Sequence, residues 1–290
     1  MKIRRNVERM AAAAVLIGAL AVQGCAISEE EKAAAANQTI DVIDENDLND
    51  IMLTLADSEA AVEYYRRAVG REPARVDLRR GYALSLARDG QHAEARLVFE
   101  DVVSKGGAQP GDLVEYARTL AMLNDFEAAD LALSRLPSGY RNTREEQLRG
   151  MIADHRSDWA AADIHYEAAR KLTAQPAPIY NNIGVSKMAR GDMKGAATAF
   201  REALIHDPRM FEAKNNLALS YALQREYRLP VISLTEEERA ILLHNIALVA
   251  LRQGDEAVAL GLLQQSVKSH PRRWAPAADK LATLQSRLKG

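Results

Sequence analysis

The chain has 290 residues, 48% apolar, 27% charged and only 5% aromatic, with a formal net charge of −2 and a pI near 6.3. That balance gives nucleic acid no basic surface to grip, so a nucleic-acid partner is not expected. The single cysteine excludes a disulfide framework and cysteine-rich zinc sites, and the six histidines (92, 155, 165, 206, 244, 270) show no HExxH spacing. Alanine is abundant, while Gly (16) and Pro (9) are few. The composition therefore reads as mostly helical.

Residues 1–10 carry Lys2, Arg4, Arg5 and Arg9 against one acid, Glu8, and residues 11–22 form an unbroken run of small or apolar side chains. As a helix that run covers about 18 Å, short of the ~30 Å hydrocarbon core, so residues 1–24 read as a secretory signal peptide and not a membrane span. The run ends in Val22-Gln23-Gly24-Cys25, which resembles the lipobox of bacterial lipoproteins. The resemblance implies a diacylglycerol on the Cys25 thiol, cleavage before it and acylation of the new amino terminus. Three acyl chains hold a protein on a bilayer essentially permanently. Ala26 stands where an aspartate would signal inner-membrane retention in that family, so the expected location is the periplasmic side of a bacterial outer membrane. Residues 25–46, with Glu29, Glu30, Glu31 and an alanine run, present no apolar stripe and read as an acidic tether.

From about residue 47 a period near 34 organises the chain. Ala61, Ala95, Ala129, Ala162, Ala196 and Ala259 recur inside similar apolar stretches, each followed four residues later by a large side chain: Tyr65, Phe99, Leu133, Tyr166, Phe200 and Leu263. Ala83, Ala117, Gly150, Gly184 and Ala247 stand twelve residues before the last five alanines, and Ala218 has the same place in a further unit. This spacing predicts pairs of helices in which the small residue of the first helix and the alanine of the second permit close approach, while the large residue fills space against the next unit. Gly90, Asn124, Ser157, Gly191 and Gly254 are predicted at the turns, and Pro73, Pro208 and Pro271 at unit ends. The pattern resembles the tetratricopeptide repeat, and residues 177–210 match it best through Tyr180, Ile183, Gly184, Ala196, Phe200, Ala203 and Pro208. The expected fold is all-α: a right-handed α-solenoid of about six to seven repeats over 47–272, closed by a capping helix over 273–290 that carries Trp274, Ala277, Leu281, Leu284 and Leu288 on one face.

Unit starts fall near 42, 76, 110, 143, 177, 211 and 240. The unit from 211 begins well with Leu217, Ala218 and Tyr221 and then fails, because Pro230 occupies the place of its second-helix alanine. Residues 225–239 are therefore not expected to form a complete second helix; Val231, Ile232 and Leu234 could be offered to a partner there. Thr235 and Glu238 form a capping box that starts the next helix.

No nucleophile–base set, paired carboxylates or phosphate loop appears, so neither a catalytic residue nor a cofactor or metal is expected. Acidic residues are predicted on exposed helix positions, and Asp154, His155 and Asp158 as a polar turn. A solenoid of this kind has a concave face lined by the first helix of each unit. Positions five and nine of successive units project onto it Arg80 and Leu84, Val114 and Arg118, Gln147 and Met151, Asn181 and Val185, Asn215 and Leu219, and His244 and Leu248; position six adds Asn182, Asn216 and Asn245. Apolar anchors alternating with amides suit a peptide segment better than a small anion.

The stretch Asn245-Ile246-Ala247-Leu248-Val249-Ala250-Leu251-Arg252-Gln253-Gly254-Asp255, together with the order of lipobox, acidic tether and repeats, is similar to the tetratricopeptide lipoproteins of Flp (tight-adherence) pilus assembly. That resemblance implies a non-enzymatic, pilotin-like scaffold that escorts the outer-membrane secretin or another pilus assembly component through the concave face, touching the membrane only by its lipid. The type IV pilus pilotins and a periplasmic chaperone or cell-wall assembly adaptor are the alternatives.

Overall fold

The computed structural model describes residue 49, residues 52–105, 107–272 and 274–289. The residues expected to form a signal peptide (1–24), Cys25, those expected to form a tether (25–46) and most of those expected to form the first unit's leading helix lie outside the described residues. The chain divides into two units, 1–55 and 56–290. Within the second, the described residues form thirteen helices and no strand. In chain order these are α1 (Ser58–Arg71), α2 (Val76–Arg88), α3 (His92–Ser104), α4 (Pro110–Met122), α5 (Phe126–Ser134), α6 (Thr143–His155), α7 (Trp159–Lys171), α8 (Ala177–Ala189), α9 (Met193–His206), α10 (Phe211–Ala222), α11 (Glu236–Arg252), α12 (Glu256–Ser269) and α13 (Ala275–Lys289).

Helices α2/α3, α4/α5, α6/α7, α8/α9 and α11/α12 pair as hairpins, and each hairpin packs on the next. The six recurring alanines are all fully buried, and the six large residues four positions on are at most 2% exposed. Each such aromatic or leucine contributes about 1.5–3 kcal/mol by leaving water. The large residue, however, does more than fill the gap to the next unit. A Cβ built on Gly184 would stand 2.4 Å from the Phe200 ring, and one on Gly150 2.6 Å from the Tyr166 ring. Gly184, expected against the second helix near Ala196, thus packs on that helix beneath Phe200, one turn further on, and the ring takes the volume that a side chain would need.

The turns obey one rule. Gly90, Asn124, Ser157, Gly191 and Gly254 all have positive φ, between 58° and 86°, and the residue after each donates its backbone N–H to a carbonyl five residues back at 2.9 Å. This closure satisfies the last carbonyls of the first helix. Asp125, Asp158 and Asp192 then cap the second helix by accepting from the amides of Ala128, Ala161 and Gly195.

The broken unit keeps the turn and loses the helix. Arg225 adopts φ 63°, and the Glu226 N–H reaches the Tyr221 carbonyl at 3.0 Å, as in the intact units. Residues 226–234 then run without helix to Thr235, whose capping box with Glu238 opens α11. Asp255, which by its place should cap α12, makes no capping bond. Its carboxylate instead accepts from the Arg225 guanidinium at 2.9 and 3.1 Å and from the Tyr227 hydroxyl. The irregular segment is strapped down by the cap of its neighbour. Pro230 is buried, and Ile232 and Leu234 pack against the adjoining cores. Of the three apolar residues expected to be on offer, Val231 alone is fully displayed, at 98% exposure.

At the C-terminal end α13 covers the last hairpin through Ala277 and Leu284, with Leu281 packed against the same core, while Leu288 stays half exposed. Several acidic residues contradict the expectation of a solvated surface. Asp112, Glu145 and Glu146 are buried in the first turns of α4 and α6, where amide groups and the helix dipole favour negative charge.

Candidate functional site

The first helices α2, α4, α6, α8 and α10 touch one another directly from unit to unit, whereas the second helices meet chiefly the first helices that flank them. The first-helix layer is therefore the more closely spaced, inner side of the array. Every residue projected there from the sequence does lie on a first helix: Arg80 and Leu84 on α2, Arg118 on α4, Gln147 and Met151 on α6, Asn181, Asn182 and Val185 on α8, Asn215, Asn216 and Leu219 on α10, and His244, Asn245 and Leu248 on α11. Val114, projected there as well, lies on α4 but is buried in the core at 2% exposure; apart from it, buried Asn181 and exposed Val185, they are partly buried.

The asparagines form a ladder. Asn245 donates its amide to Asn215 at 2.7 Å, and Asn216 donates to Asn181 at 3.0 Å. Two of the position-six amides thus bridge neighbouring units. Asn182, the third, lines a cavity described below. The basic members are tied by ion pairs. Arg80 forks onto Asp112 of the next unit at 2.6 and 2.9 Å, which raises the guanidinium's pKa against the opposing cost of its burial, and Arg118 bonds Glu115 at 2.8 Å.

His244 closes the ladder beneath α13, edge-on to Trp274 with ring centroids 5.0 Å apart. Its Nδ1 is buried without a hydrogen-bond partner. Burial first, and the Lys280 charge second, lower its pKa. Protonation therefore favours the unfolded chain: the stability is complete above the ordinary value near 6.5 and is lost as pH falls below it. The melting temperature should fall between about pH 7 and about pH 5.5, and His244→Gln should flatten that fall. An equal slope in both proteins would remove His244 as its cause.

The inner face also holds a cavity of about 300 Å³, lined by Phe126, Met151, Asp154, His155, Tyr166, Asn182 and Val185. Three of these, Met151, Asn182 and Val185, were projected onto the face from the sequence; Phe126, Asp154, His155 and Tyr166 were not. Asp154 and His155, expected with Asp158 at a polar turn, do end α6 beside that turn, and they also form one wall of the cavity. The imidazole of His155 stacks on Phe126 with centroids 4.3 Å apart. Asp154 accepts from the Tyr166 hydroxyl at 2.7 Å and from Ser186 of the following unit at 2.6 Å. Burial, then the Asp154 carboxylate, raise the Tyr166 pKa, so its hydroxyl remains a donor. A signal was present in the sequence: Tyr166 stands where Phe99 and Phe200 stand in other units, and a buried phenol requires a polar partner.

Among the described residues no group of three or more His, Cys, Asp or Glu could hold a metal ion, and no helix is long and apolar enough to cross a membrane.

The stacked hairpins define an α-solenoid of the tetratricopeptide type. The tetratricopeptide repeat model matches residues 53–112 and 181–228. Over 115 residues the chain is 30% identical to the cellulose synthase operon protein C of Pseudomonas fluorescens, which covers 40% of this chain and 9% of that protein. The fold is shared with a tetratricopeptide repeat protein from Parabacteroides merdae (15% identity, TM-score 0.54, 86% of this chain and 96% of that one). It is shared as well with human IFIT1 in complex with a capped RNA (15%, 0.58, 79% and 59%) and with Cut9 of the APC/C complex Cut9–Hcn1 (18%, 0.54, 79% and 46%).

Proposed function

We propose that this chain is a lipid-anchored scaffold that holds an extended or helical segment of a protein partner along its first-helix face and acts, pilotin-like, in the assembly of the outer-membrane secretin of a Flp pilus. The observation that carries the binding mode is the asparagine ladder across α8, α10 and α11, helices that also carry Val185, Leu219 and Leu248, with Leu84 and Met151 on first helices nearer the N-terminus. Amides that donate and accept can pair with a peptide backbone, and the apolar residues between them supply burial. The pilus assignment rests on the sequence resemblance in 245–255 and on the order of lipobox, tether and repeats. A second reading is favoured by the likeness to cellulose synthase operon protein C: the same scaffold would serve an envelope polysaccharide machine.

Two experiments test this reading. Met151→Asp combined with Leu219→Asp should abolish co-purification of the secretin from cells while circular dichroism stays helical, and the convex-face variant Arg201→Glu should retain it. Normal capture by the double variant together with loss in Arg201→Glu would move the interface to the outer face. Retention of a cellulose synthase component in place of the secretin would favour the second reading. For the anchor, Cys25→Ser should leave the protein uncleaved or released from the membrane fraction, because the only thiol in the chain is gone. Outer-membrane recovery at wild-type levels would refute lipidation.

A further inference from the structure

We propose that the cavity between α5, α6, α7 and α8 is a recognition pocket for a cationic side chain, an arginine or lysine of the bound segment; this rests on the peptide-binding reading above and adds the chemistry of one residue to it. The cavity's walls are largely apolar, from Phe126, Met151, Tyr166 and Val185, and its volume of about 300 Å³ admits one long side chain. The charged group in its lining is the Asp154 carboxylate. Each of that carboxylate's oxygens receives one hydroxyl hydrogen, from Ser186 and from Tyr166, and neither oxygen has a cation within ion-pair distance among the described residues. The neighbouring Arg190 is already committed, with both terminal nitrogens on Asp163 at 2.6 and 3.0 Å. His155, in the same wall, has Glu127 beside it at 3.9 Å, which adds negative charge near the mouth.

This arrangement discriminates by charge. Any occupant that fills the cavity takes Asp154 out of water. An aliphatic or aromatic occupant leaves that carboxylate covered with only its two hydroxyl hydrogen bonds and the field of Arg190, which Asp163 already shares, and an acidic one adds repulsion. An arginine or lysine lays its methylenes against Met151 and Val185 and brings its head to Asp154, with the Phe126 and His155 rings beside it. The two hydroxyls hold the carboxylate in place before the ligand arrives, so little ordering is left to be done on binding.

The test uses the folded protein and dye-labelled nonapeptides of one leucine- and alanine-containing frame, with a single central arginine, lysine, citrulline, norleucine or glutamate, followed by fluorescence anisotropy. Arginine and lysine should bind roughly tenfold or more tightly than citrulline and norleucine, as one charge-assisted hydrogen bond allows, and glutamate most weakly. Asp154→Asn should erase that preference, weakening arginine and lysine and tightening norleucine, which then covers no charge. Ser186→Ala, which removes a positioning hydroxyl but keeps the carboxylate, should preserve it. Equal binding of lysine and norleucine by the unmodified protein, or an intact preference in Asp154→Asn, would overturn the pocket and leave the groove standing. Binding unaffected by Met151→Asp with Leu219→Asp would remove the groove, and failure of every peptide to bind would remove both.

Discussion

Gly184→Leu should be among the most damaging substitutions in the array. The missing side chain at this position is occupied space: even a Cβ would meet the Phe200 ring at 2.4 Å, and Phe200 is fully buried with no room to retreat. Overpacking of this kind costs about 1–3 kcal/mol, and leucine, with three further carbons, belongs at the upper end. In a unit of this size that corresponds to a melting temperature lower by roughly 5–10 °C. Gly184→Ala should show a smaller loss in the same direction. Gly70, near the end of α1, has nothing within 4 Å of its would-be Cβ, so Gly70→Ala should be neutral or stabilising by up to about 1 kcal/mol. If Gly184→Leu and Gly70→Ala melted alike, the close approach of α8 and Phe200 would be disproved.

Asp112→Ala should rival it by a different route. The Asp112 carboxylate has a side-chain exposure of 5%, receives the fork of Arg80 from the preceding unit and accepts the Gln109 N–H at 2.8 Å as half of a capping box. Alanine removes a cap worth about 1 kcal/mol. It also leaves a guanidinium facing a buried site without its counter-charge, for which removal of one partner costs about 3–5 kcal/mol when both are fully buried. Arg80 is 21% exposed and can turn partly toward water, so a total near 2–4 kcal/mol is expected. Chemical denaturation of the single variants and of Arg80→Met with Asp112→Leu forms the check. The double variant should recover part of the loss, since neither charge is then stranded. A loss in Asp112→Ala no larger than that of a cap alone would show the inter-unit fork to contribute nothing.

These two positions also mark what could be read from the sequence and what could not. The alanine period, the large residue four places on and the turn residues emerged directly, because close helix packing and positive φ each restrict a position to very few side chains. That the Phe200 ring lies over Gly184 did not emerge, since a period gives spacing along the chain but no rotamer for the ring. Asp112, Glu145 and Glu146 resembled any other helix carboxylates; their burial depends on which first turn a neighbouring unit covers. The same holds for the site. Projection by unit number placed the ladder on the inner face, whereas the cavity draws on three hairpins at once, through Phe126, Asp154 and Val185, and such a convergence has no linear signature.

The Asp255 strap has a mechanical consequence. In a linear array where each unit meets only its neighbours, cohesion is a sum over joints, and the array parts where a joint is thinnest. Between α10 and α11 a unit's second helix is replaced by nine irregular residues, yet Ala218 and Ala222 of α10 share one core with Leu242, Ile246 and Leu263 of the next hairpin. The Lys214–Glu238 ion pair, the Asn215–Asn245 bond and the Arg225 and Tyr227 contacts to Asp255 cross the same joint. A load applied through the ends is therefore carried across the missing helix as it is across an intact unit, and the irregular segment is a place where the chain changes path without parting the stack.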